Sequence, residues 1–368
     1  MLPYFIAFGI SIIICVFGEK FRNKSSFFSY LCYTLSVFTI AVLAALRNLD
    51  IGTDIQTYVI WEFEDAISST SLIDFVVDKV GVMEPLYLFI TYFVACFTDN
   101  VHWLLLVIGI ITYGFIMAGL CKYSNIISVS IGWICFLFLF YGDTLNLIRQ
   151  SIAMSIVFWG FHFVLKNSES KFWVTFLVSF LIHNSTIVFV SIYLLLKILK
   201  KRNSVLTNLG IVLCLCLVVF NYQILLELLM NIGILPIKFT RYIAYGFTYS
   251  INQVILRLPF ILFILVFYKQ FVFFDKSTNK GEGALYLLLL IFDLVLCQLR
   301  GILPALYRVS LYFGMFKMIA YSRIYFITNN KLFMGTVLLM FLIIVWIYQN
   351  VIQGNNEIYP YTSSLLGI

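Results

Sequence analysis

Six side chains that are or can become cationic lie at the ends of long apolar runs or inside them: Arg47, Arg149, His183, Arg257, Arg300 and Arg308. A fixed charge near the middle of a bilayer costs roughly 3 kcal/mol on insertion scales, so residues of this kind tend to be functional. Arginine keeps its proton, and its planar guanidinium gives bidentate hydrogen bonds to phosphate. Several arginines in one membrane cavity would suit a multiply charged anion such as the pyrophosphate of a polyprenyl lipid.

The stretch DTLNLIRQS, from Asp143 to Ser151, places Arg149 at the start of the uncharged run 152–165. In the first turn of a helix, backbone N–H groups add positive potential beside such a charge. Asn146 and Gln150 are candidate ligands for a sugar or for the pyrophosphate. Asp143 is interpreted as a helix cap or as the partner of one of the arginines. The alternative for any single arginine is an interfacial anchor.

The stretch RNLDIGTDIQTY, from Arg47 to Tyr58, brings a carboxylate close to an aromatic ring. If the part after Gly52 is helical, Asp54 and Tyr58 share one face because they are four residues apart. The ring of Tyr58 offers a flat surface to a sugar. Asp54 is a candidate general base, and a salt bridge to an arginine is its alternative role.

Two further residues are candidates in short segments. His183 lies in a tight HNS turn between two short apolar runs. Its unperturbed pKa near neutrality favours it over Asp54 as the base, although a lone histidine is more often a core residue. Glu84 precedes Pro85 in EPLY, where it either interacts with the dipole of a short helix or contacts substrate.

The elements that must position these residues are apolar helices. The chain has 368 residues, of which 62% are hydrophobic and 11% are charged; soluble domains carry roughly 25% charged residues. Solid apolar runs predict an all-α, polytopic membrane protein with a single domain over 1–368. We expect about twelve spans: 2–17, 28–46, 102–120, 126–141, 145–165, 172–182, 185–199, 205–220, 251–269, 284–299, 302–320 and 332–350. The apolar segment 86–97 is short and suits a re-entrant or interfacial helix.

Charge bias predicts the orientation of these spans. Every second loop is basic, so those loops are expected in the cytoplasm, with both termini on the outer side. The basic residues that carry this prediction include Lys20, Arg22, Lys122, Lys317 and Arg323. Two segments then become external loops: the long acidic segment 47–101 and the segment 221–250. A loop as long as 47–101 in a compact protein is usually functional. All the candidate site residues fall on the external side or in the outer half of the membrane.

Several classes of function are not indicated. The eight cysteines show no CxxC pair, and the sequence has no GxGxxG, P-loop or HExxH motif, so we expect neither a metal nor a cofactor. The net charge of +7 comes mostly from short loops and does not indicate binding to nucleic acid.

Together, these stretches resemble the EpsG family of bacterial polysaccharide polymerases, relatives of the Wzy-type polymerases of O-antigen and capsule. The matching pieces occur in the family's order over 47–361, nearly the whole chain: RNLDIGTDIQTY, MEPLY, NLIRQSIA, FLIHNSTI, YRVSLYF and YPY.

The resemblance implies a multi-pass protein of the bacterial cytoplasmic membrane, similar to the lipid-linked glycosyltransferases, with an active site facing the periplasm or exterior. Its substrates would be glycans on undecaprenyl pyrophosphate, as donor and as acceptor. Membrane lipid and a regulator of chain length would be its other partners. Three alternatives stay open: an O-antigen ligase, a polyprenyl-phosphate sugar transferase and, less favoured, a flippase for lipid-linked oligosaccharide, because the inner halves of the spans carry few polar groups. An acyltransferase is disfavoured by the side on which His183 is expected.

Overall fold

A computed structural model describes residues 1–79, 81–233, 250–272, 281–298 and 304–368, and within these ranges it contains helices and turns but no strand. The all-α prediction is therefore confirmed for the described part of the chain. The helices are α1 (Leu2–Phe21), α2 (Ser26–Leu46), α3 (Ile60–Ser68), α4 (Leu72–Val77), α5 (Pro85–Ala95), α6 (Val101–Lys122), α7 (Val129–Leu139), α8 (Tyr141–Asn146), α9 (Ile148–Leu165), α10 (Glu169–Phe180), α11 (Phe189–Lys201), α12 (Val205–Phe220), α13 (Tyr222–Asn231), α14 (Ile251–Val266), α15 (Tyr268–Val272), α16 (Glu282–Leu296), α17 (Pro304–Gly314), α18 (Lys317–Ile327) and α19 (Lys331–Ile347).

Five helical segments of the described chain are long and apolar enough to cross a membrane: Leu2–Phe21, Ser26–Ala45, Val101–Lys122, Ile148–Leu165 and Lys331–Ile352. Four shorter apolar helices accompany them: Pro85–Ala95, Val129–Leu139, Val205–Phe220 and Ile251–Val266. The protein is thus a helical membrane protein, while the expected number of twelve spans stays a prediction. At 11 residues, α5 is about 16 Å long, which is too short to cross a hydrocarbon core of about 30 Å.

The chain forms two compact units, one from Met1–Ile187 with Thr328–Ile368 and one from Val188–Ile327. In the first unit, α2 packs between α1 and α6, α6 packs on α9, and α9 packs on α10. Of the five long apolar segments, Ile148–Leu165 is the most enclosed, with 78% of its residues buried. The candidate residues Arg149 and Gln150 therefore lie at the start of the most enclosed of these long helices.

The first unit has two distinct ends. At one end, Glu19 accepts backbone N–H groups of Val129 and Ser130 at the start of α7. At the other end, Tyr4 donates to the carbonyl of Ile358 at 2.8 Å, and Tyr361 donates to the carbonyl of Leu43 at 3.0 Å. The beginning of α1, the end of α2 and the C-terminal segment thus lie together, as expected if both termini share one side.

The segment 47–101 folds back on the bundle. After Gly52, a π-helical turn over Ile55–Val59 leads into α3, which packs on α5, and α5 packs on α6. A small apolar core of Ala66, Phe75 and Leu88 holds α3, α4 and α5 together. The expected long external loop is consequently a folded helical layer.

In the second unit, α16 is the central helix. It contacts α11, α12, α14, α15, α17 and α18, and every residue from Glu282 to Leu290 is buried. A helix that is apolar on all sides is suited to this enclosed position.

The predicted span 302–320 does not form one continuous helix, because α17 ends at Gly314 and α18 begins at Lys317. Lys317 and Arg323, expected among the basic residues of a cytoplasmic loop, are instead buried, with 8% and 0% of their surface exposed. Lys317 Nζ lies 2.5 Å from Asp293 Oδ2 in the middle of α16. A buried ion pair explains this position, since an isolated ammonium group inside the protein would be costly.

Gly52 provides a test of how the folded layer is attached. Its φ is +93°, and a Cβ there would overlap the carbonyl oxygen of Leu145. Gly81 has a similar φ of +85°, but a Cβ there would meet no atom within 4 Å. We expect Gly52→Ala to lower the free energy of unfolding by about 2–4 kcal/mol, and Gly81→Ala by only about 1 kcal/mol. Thermal unfolding in detergent followed by tryptophan fluorescence would measure both, and equal losses would contradict the close approach to Leu145.

Candidate functional site

Five of the predicted site residues lie together at the end of the first unit that carries the C-terminal segment: Asp54, Tyr58, Glu84, Arg149 and His183. They come from the π-helical turn, the start of α5, the start of α9 and the turn that follows α10. Four segments that are separated in the sequence therefore supply one cluster.

The chain segment that leads from α2 to this cluster is held in place by Arg47. This residue follows the last residue of α2 and is 2% exposed. Its guanidinium donates to the carbonyls of Ala44 at 2.5 Å, Ile51 at 3.2 Å and Leu145 at 3.1 Å. Arg47 thus binds backbone oxygens of α2, of the following turn and of α8. This arrangement gives Arg47 a structural role in this unit, while the substrate-binding role predicted for it is untested.

Asp54 connects the π-helical turn to the start of α9. Its Oδ2 accepts the hydroxyl of Tyr58 at 2.6 Å and the backbone N–H of Ile148 at 3.1 Å. A carboxylate at this position is favourable because it meets the positive end of the helix dipole. Burial raises the pKa of Tyr58 well above its ordinary range, and Tyr87 and Asp54 act in the same direction. Tyr58 therefore keeps its proton and donates to Asp54.

Arg149 is bound on three sides. Its Nη1 lies 2.5 Å from Glu84 Oε2, and its guanidinium carbon lies 4.6 Å from the centre of the Tyr58 ring and 5.8 Å from that of Tyr87. The side chain of Arg149 is 18% exposed and that of Glu84 is 14% exposed. Aromatic faces attract a guanidinium, and the ion pair balances its charge. The cation is thus compensated but still reachable from outside.

Glu84 holds the histidine turn as well. It precedes α5 without capping that helix through its side chain. Its Oε1 accepts the backbone N–H of Asn184 at 3.2 Å and lies 3.9 Å from Nδ1 of His183. The same turn is joined to α5 by a hydrogen bond of 3.0 Å from the N–H of Leu86 to the carbonyl of Leu181. Glu84 thus contacts charged and polar groups of the cluster, while the choice between a helix-dipole role and contact with substrate stays a prediction.

The tautomer of His183 follows from its neighbour. Nδ1 accepts the backbone N–H of Ser185 at 3.1 Å. A neutral imidazole with an accepting Nδ1 carries its proton on Nε2. In this arrangement His183 can donate a hydrogen bond through Nε2, for example to a phosphate oxygen, whereas taking a proton would require the ring to change its partners.

The other predicted residues lie outside this cluster or at its edge. Asn146 accepts the hydroxyl of Thr53, Gln150 is 2% exposed with Nε2 at 3.5 Å from Met154 Sδ, and Asp143 Oδ1 accepts the amide of Asn356 at 3.0 Å. Arg257 and Arg308 belong to the second unit, in which Arg308 is exposed and Arg257 lies 2.7 Å from Asp293. Arg300 lies outside the described residues. The shared cavity for all these arginines therefore stays a prediction.

The sequence profile of the EpsG family matches residues 30–363, nearly the whole chain. The chain belongs to the EpsG family. No curated protein matches it, and no solved structure does. Membership of the EpsG family implies a membrane enzyme of the polysaccharide polymerase type, in agreement with the apolar helices of the structure.

Sequence reasoning missed several residues that the structure shows to be important in this EpsG-family protein. Tyr87 contributes a second ring beside Arg149, and its position three residues after Glu84 in MEPLY was a usable signal. Asp293 is 1% exposed and contacts both Arg257 and Lys317. A single acidic residue inside the apolar stretch ALYLLLLIFDLVL was a sufficient signal for this second group.

The strength of the Arg149–Glu84 pair can be measured by a double-mutant cycle. We expect Glu84→Gln and Arg149→Gln each to lower the free energy of unfolding by about 1–3 kcal/mol, with a coupling of about 1–2 kcal/mol, because each change leaves the other group partly buried and unpaired. The pair Lys79–Asp65 is the matched control, since it has the same 2.5 Å separation while Asp65 is 54% exposed. Its coupling should stay below about 1 kcal/mol. Equal couplings in chemical denaturation of the two pairs would contradict the special enclosure of Arg149.

Proposed function

We propose that this protein is a glycosyltransferase that polymerises oligosaccharide repeat units carried on undecaprenyl pyrophosphate, on the outer face of the bacterial cytoplasmic membrane. The product is an O-antigen, capsule or exopolysaccharide chain. The observation that carries this proposal is the position of Arg149, which opens a buried apolar helix between two tyrosine rings and a carboxylate while staying 18% exposed. An accessible guanidinium suits a pyrophosphate.

The reaction joins two lipid-linked glycans. A hydroxyl at the non-reducing end of the acceptor attacks the anomeric carbon of the donor, a new C–O glycosidic bond forms, and the bond from that carbon to the pyrophosphate oxygen breaks. Undecaprenyl pyrophosphate leaves with the electron pair. Because pyrophosphate is a good leaving group, the enzyme's main task is to hold it and to balance its charge.

In this mechanism, Arg149 binds the pyrophosphate through its guanidinium fork, and Nε2–H of His183 donates a second hydrogen bond. Glu84 holds Arg149 in position before substrate binds, through the 2.5 Å ion pair, and keeps the His183 turn in place through Asn184. The two substrates bring negative charge to a cation that is already ordered, so little reorganisation is needed.

The proton of the attacking hydroxyl goes to Asp54 in this proposal. Asp54 is ionisable and half-buried, and its carboxylate is held in place by the Tyr58 hydroxyl. The hydrogen bond from the N–H of Ser185 occupies the Nδ1 lone pair of His183, which disfavours this ring as the base. The geometry therefore favours Asp54 as the base and His183 as a hydrogen-bond donor.

The sequence left two other enzyme classes open, and the same cluster could serve them. A ligase or a polyprenyl-phosphate sugar transferase would also bind an anionic leaving group on this side of the membrane. Surface-glycan gels separate the classes, since loss of a polymerase leaves one repeat unit on the acceptor lipid and loss of a ligase leaves none.

The role of Arg149 predicts a specific loss of activity. Arg149→Ala should reduce polymer formation from a purified lipid-linked repeat unit by at least about a hundredfold, because the leaving group loses its cation. Arg149→Lys should restore little of that activity, because an ammonium group lacks the bidentate fork. The assay uses the full chain in proteoliposomes and resolves product length on gels, with and without a chelator.

The control for this experiment is Arg202→Ala, which removes an exposed arginine at the end of α11. This variant should polymerise at the normal rate, and the melting temperatures of all variants show whether they fold. If folded Arg149→Ala protein makes polymer of normal length and amount, the pyrophosphate role is wrong.

A further inference from the structure

The end of the first unit opposite to the candidate site contains two cavities between α2 and α6. One has a volume of about 410 Å³ and is lined in part by Val37, Ile110 and Met117. The other has a volume of about 240 Å³ and is lined in part by Arg22. Both cavities are lined by the side chains of Tyr30, Tyr33 and Cys121. A largely apolar cleft in the wall of the bundle thus ends beside polar and basic groups.

Two features show that this cleft is suited to a ligand. The hydroxyl of Tyr33 is a buried polar group, and the side chain of Tyr33 lines both cavities. A Cβ placed on Gly114, which lines the larger cavity, would meet no atom within 4 Å. The cleft therefore has open space beside Gly114 and a polar group in its lining.

The charge at the mouth of the cleft is positive. Lys122 is exposed and lines the larger cavity, while Arg22 lines the smaller one. Within the described ranges, neither forms an ion pair with a carboxylate. The guanidinium of Arg22 donates to the carbonyl of Ser124 at 3.1 Å and to Asn125 Oδ1 at 3.2 Å, which are uncharged acceptors. The nearby carboxylate of Glu19 is already bound to the start of α7, where Ser128 donates to it at 2.8 Å and the N–H of Val129 at 2.9 Å. The hydrogen bonds of the Glu19 carboxylate therefore go to α7.

We infer that this cleft is a binding site for an anionic phospholipid. The acyl chain lies against Val37, Ile110 and Gly114, and the phosphate lies at Arg22 and Lys122. Basic pockets between membrane helices on the cytoplasmic side bind the headgroups of anionic lipids. The charge bias of the sequence assigns this end to the cytoplasm, so the site is separate from the polymerisation site at the opposite end.

The experiment uses the full chain, purified in detergent and freed of lipid, with bound lipids counted by native mass spectrometry. The probes are dioleoylphosphatidylglycerol, dioleoylphosphatidylcholine, undecaprenyl phosphate and inorganic phosphate. We expect one saturable site for the phosphatidylglycerol, with at least tenfold weaker binding of the phosphatidylcholine. Lys122→Gln should weaken phosphatidylglycerol binding by about fivefold, because a basic residue near a membrane surface contributes about 1 kcal/mol.

Gly114→Leu tests the cleft itself, because it fills the open space and should reduce binding by tenfold or more. The matched control is Gly9→Leu, since Gly9 also lies in a long apolar helix and a Cβ there also meets nothing within 4 Å. It should leave binding unchanged. If Gly114→Leu does not fold, Lys122→Gln and Arg22→Gln still decide, because both lie at the mouth and should each weaken binding.

Several results would overturn the inference. Equal binding of the two phospholipids would show annular lipid only, and preferred binding of undecaprenyl phosphate would show a site for the substrate lipid. Saturable binding of inorganic phosphate by itself, as tight as that of the phosphatidylglycerol, would show an anion site that does not bind an acyl chain. Unchanged binding by Gly114→Leu, or a change in oligomeric state in place of lipid loss, would show that the cleft is not the lipid site.

Discussion

The ion pair between Arg149 and Glu84 is the interaction on which the candidate site depends. A guanidinium at the start of a buried apolar helix needs a counter-charge, and the sequence around it provides none within α9. The carboxylate comes from the beginning of α5, 65 residues earlier in the chain. Because the same carboxylate also binds the N–H of Asn184, compensation of one charge brings the folded layer over 47–101, the start of α9 and the histidine turn to one place.

The ratio of cations to carboxylates among the buried charges is different in the second unit. There, Arg257 and Lys317 both lie against Asp293, so two cations share one carboxylate whose side chain is 1% exposed. In the first unit, one cation meets one carboxylate and two aromatic rings at a partly open position. The arrangement in the second unit favours a fixed structural core, whereas the arrangement in the first unit leaves a cation that a ligand can approach. This contrast is the reason for assigning the chemistry to Arg149.

Much of this could be predicted from the sequence, and the failures have a physical cause. Solid apolar runs indicated helices in a membrane, and the motifs around Asp54, Arg149 and His183 indicated the EpsG family, which the family comparison confirms. Lys317 and Arg323 were misplaced because charge bias counts residues along the chain. Charge bias cannot show that the helix is interrupted between α17 and α18, or that these two cations occupy buried positions.

By itself, the sequence determined the helical class, the membrane environment, the family and the identity of Arg149 as a charge that needs an explanation. These follow from composition, from run length and from motifs, which are local properties of the chain. Only the tertiary structure decided that Glu84 is the partner of Arg149, that Arg47 binds backbone carbonyls, and that the Nδ1 lone pair of His183 is occupied. Partners and tautomers depend on contacts between segments distant in the chain, and no local pattern encodes those distances.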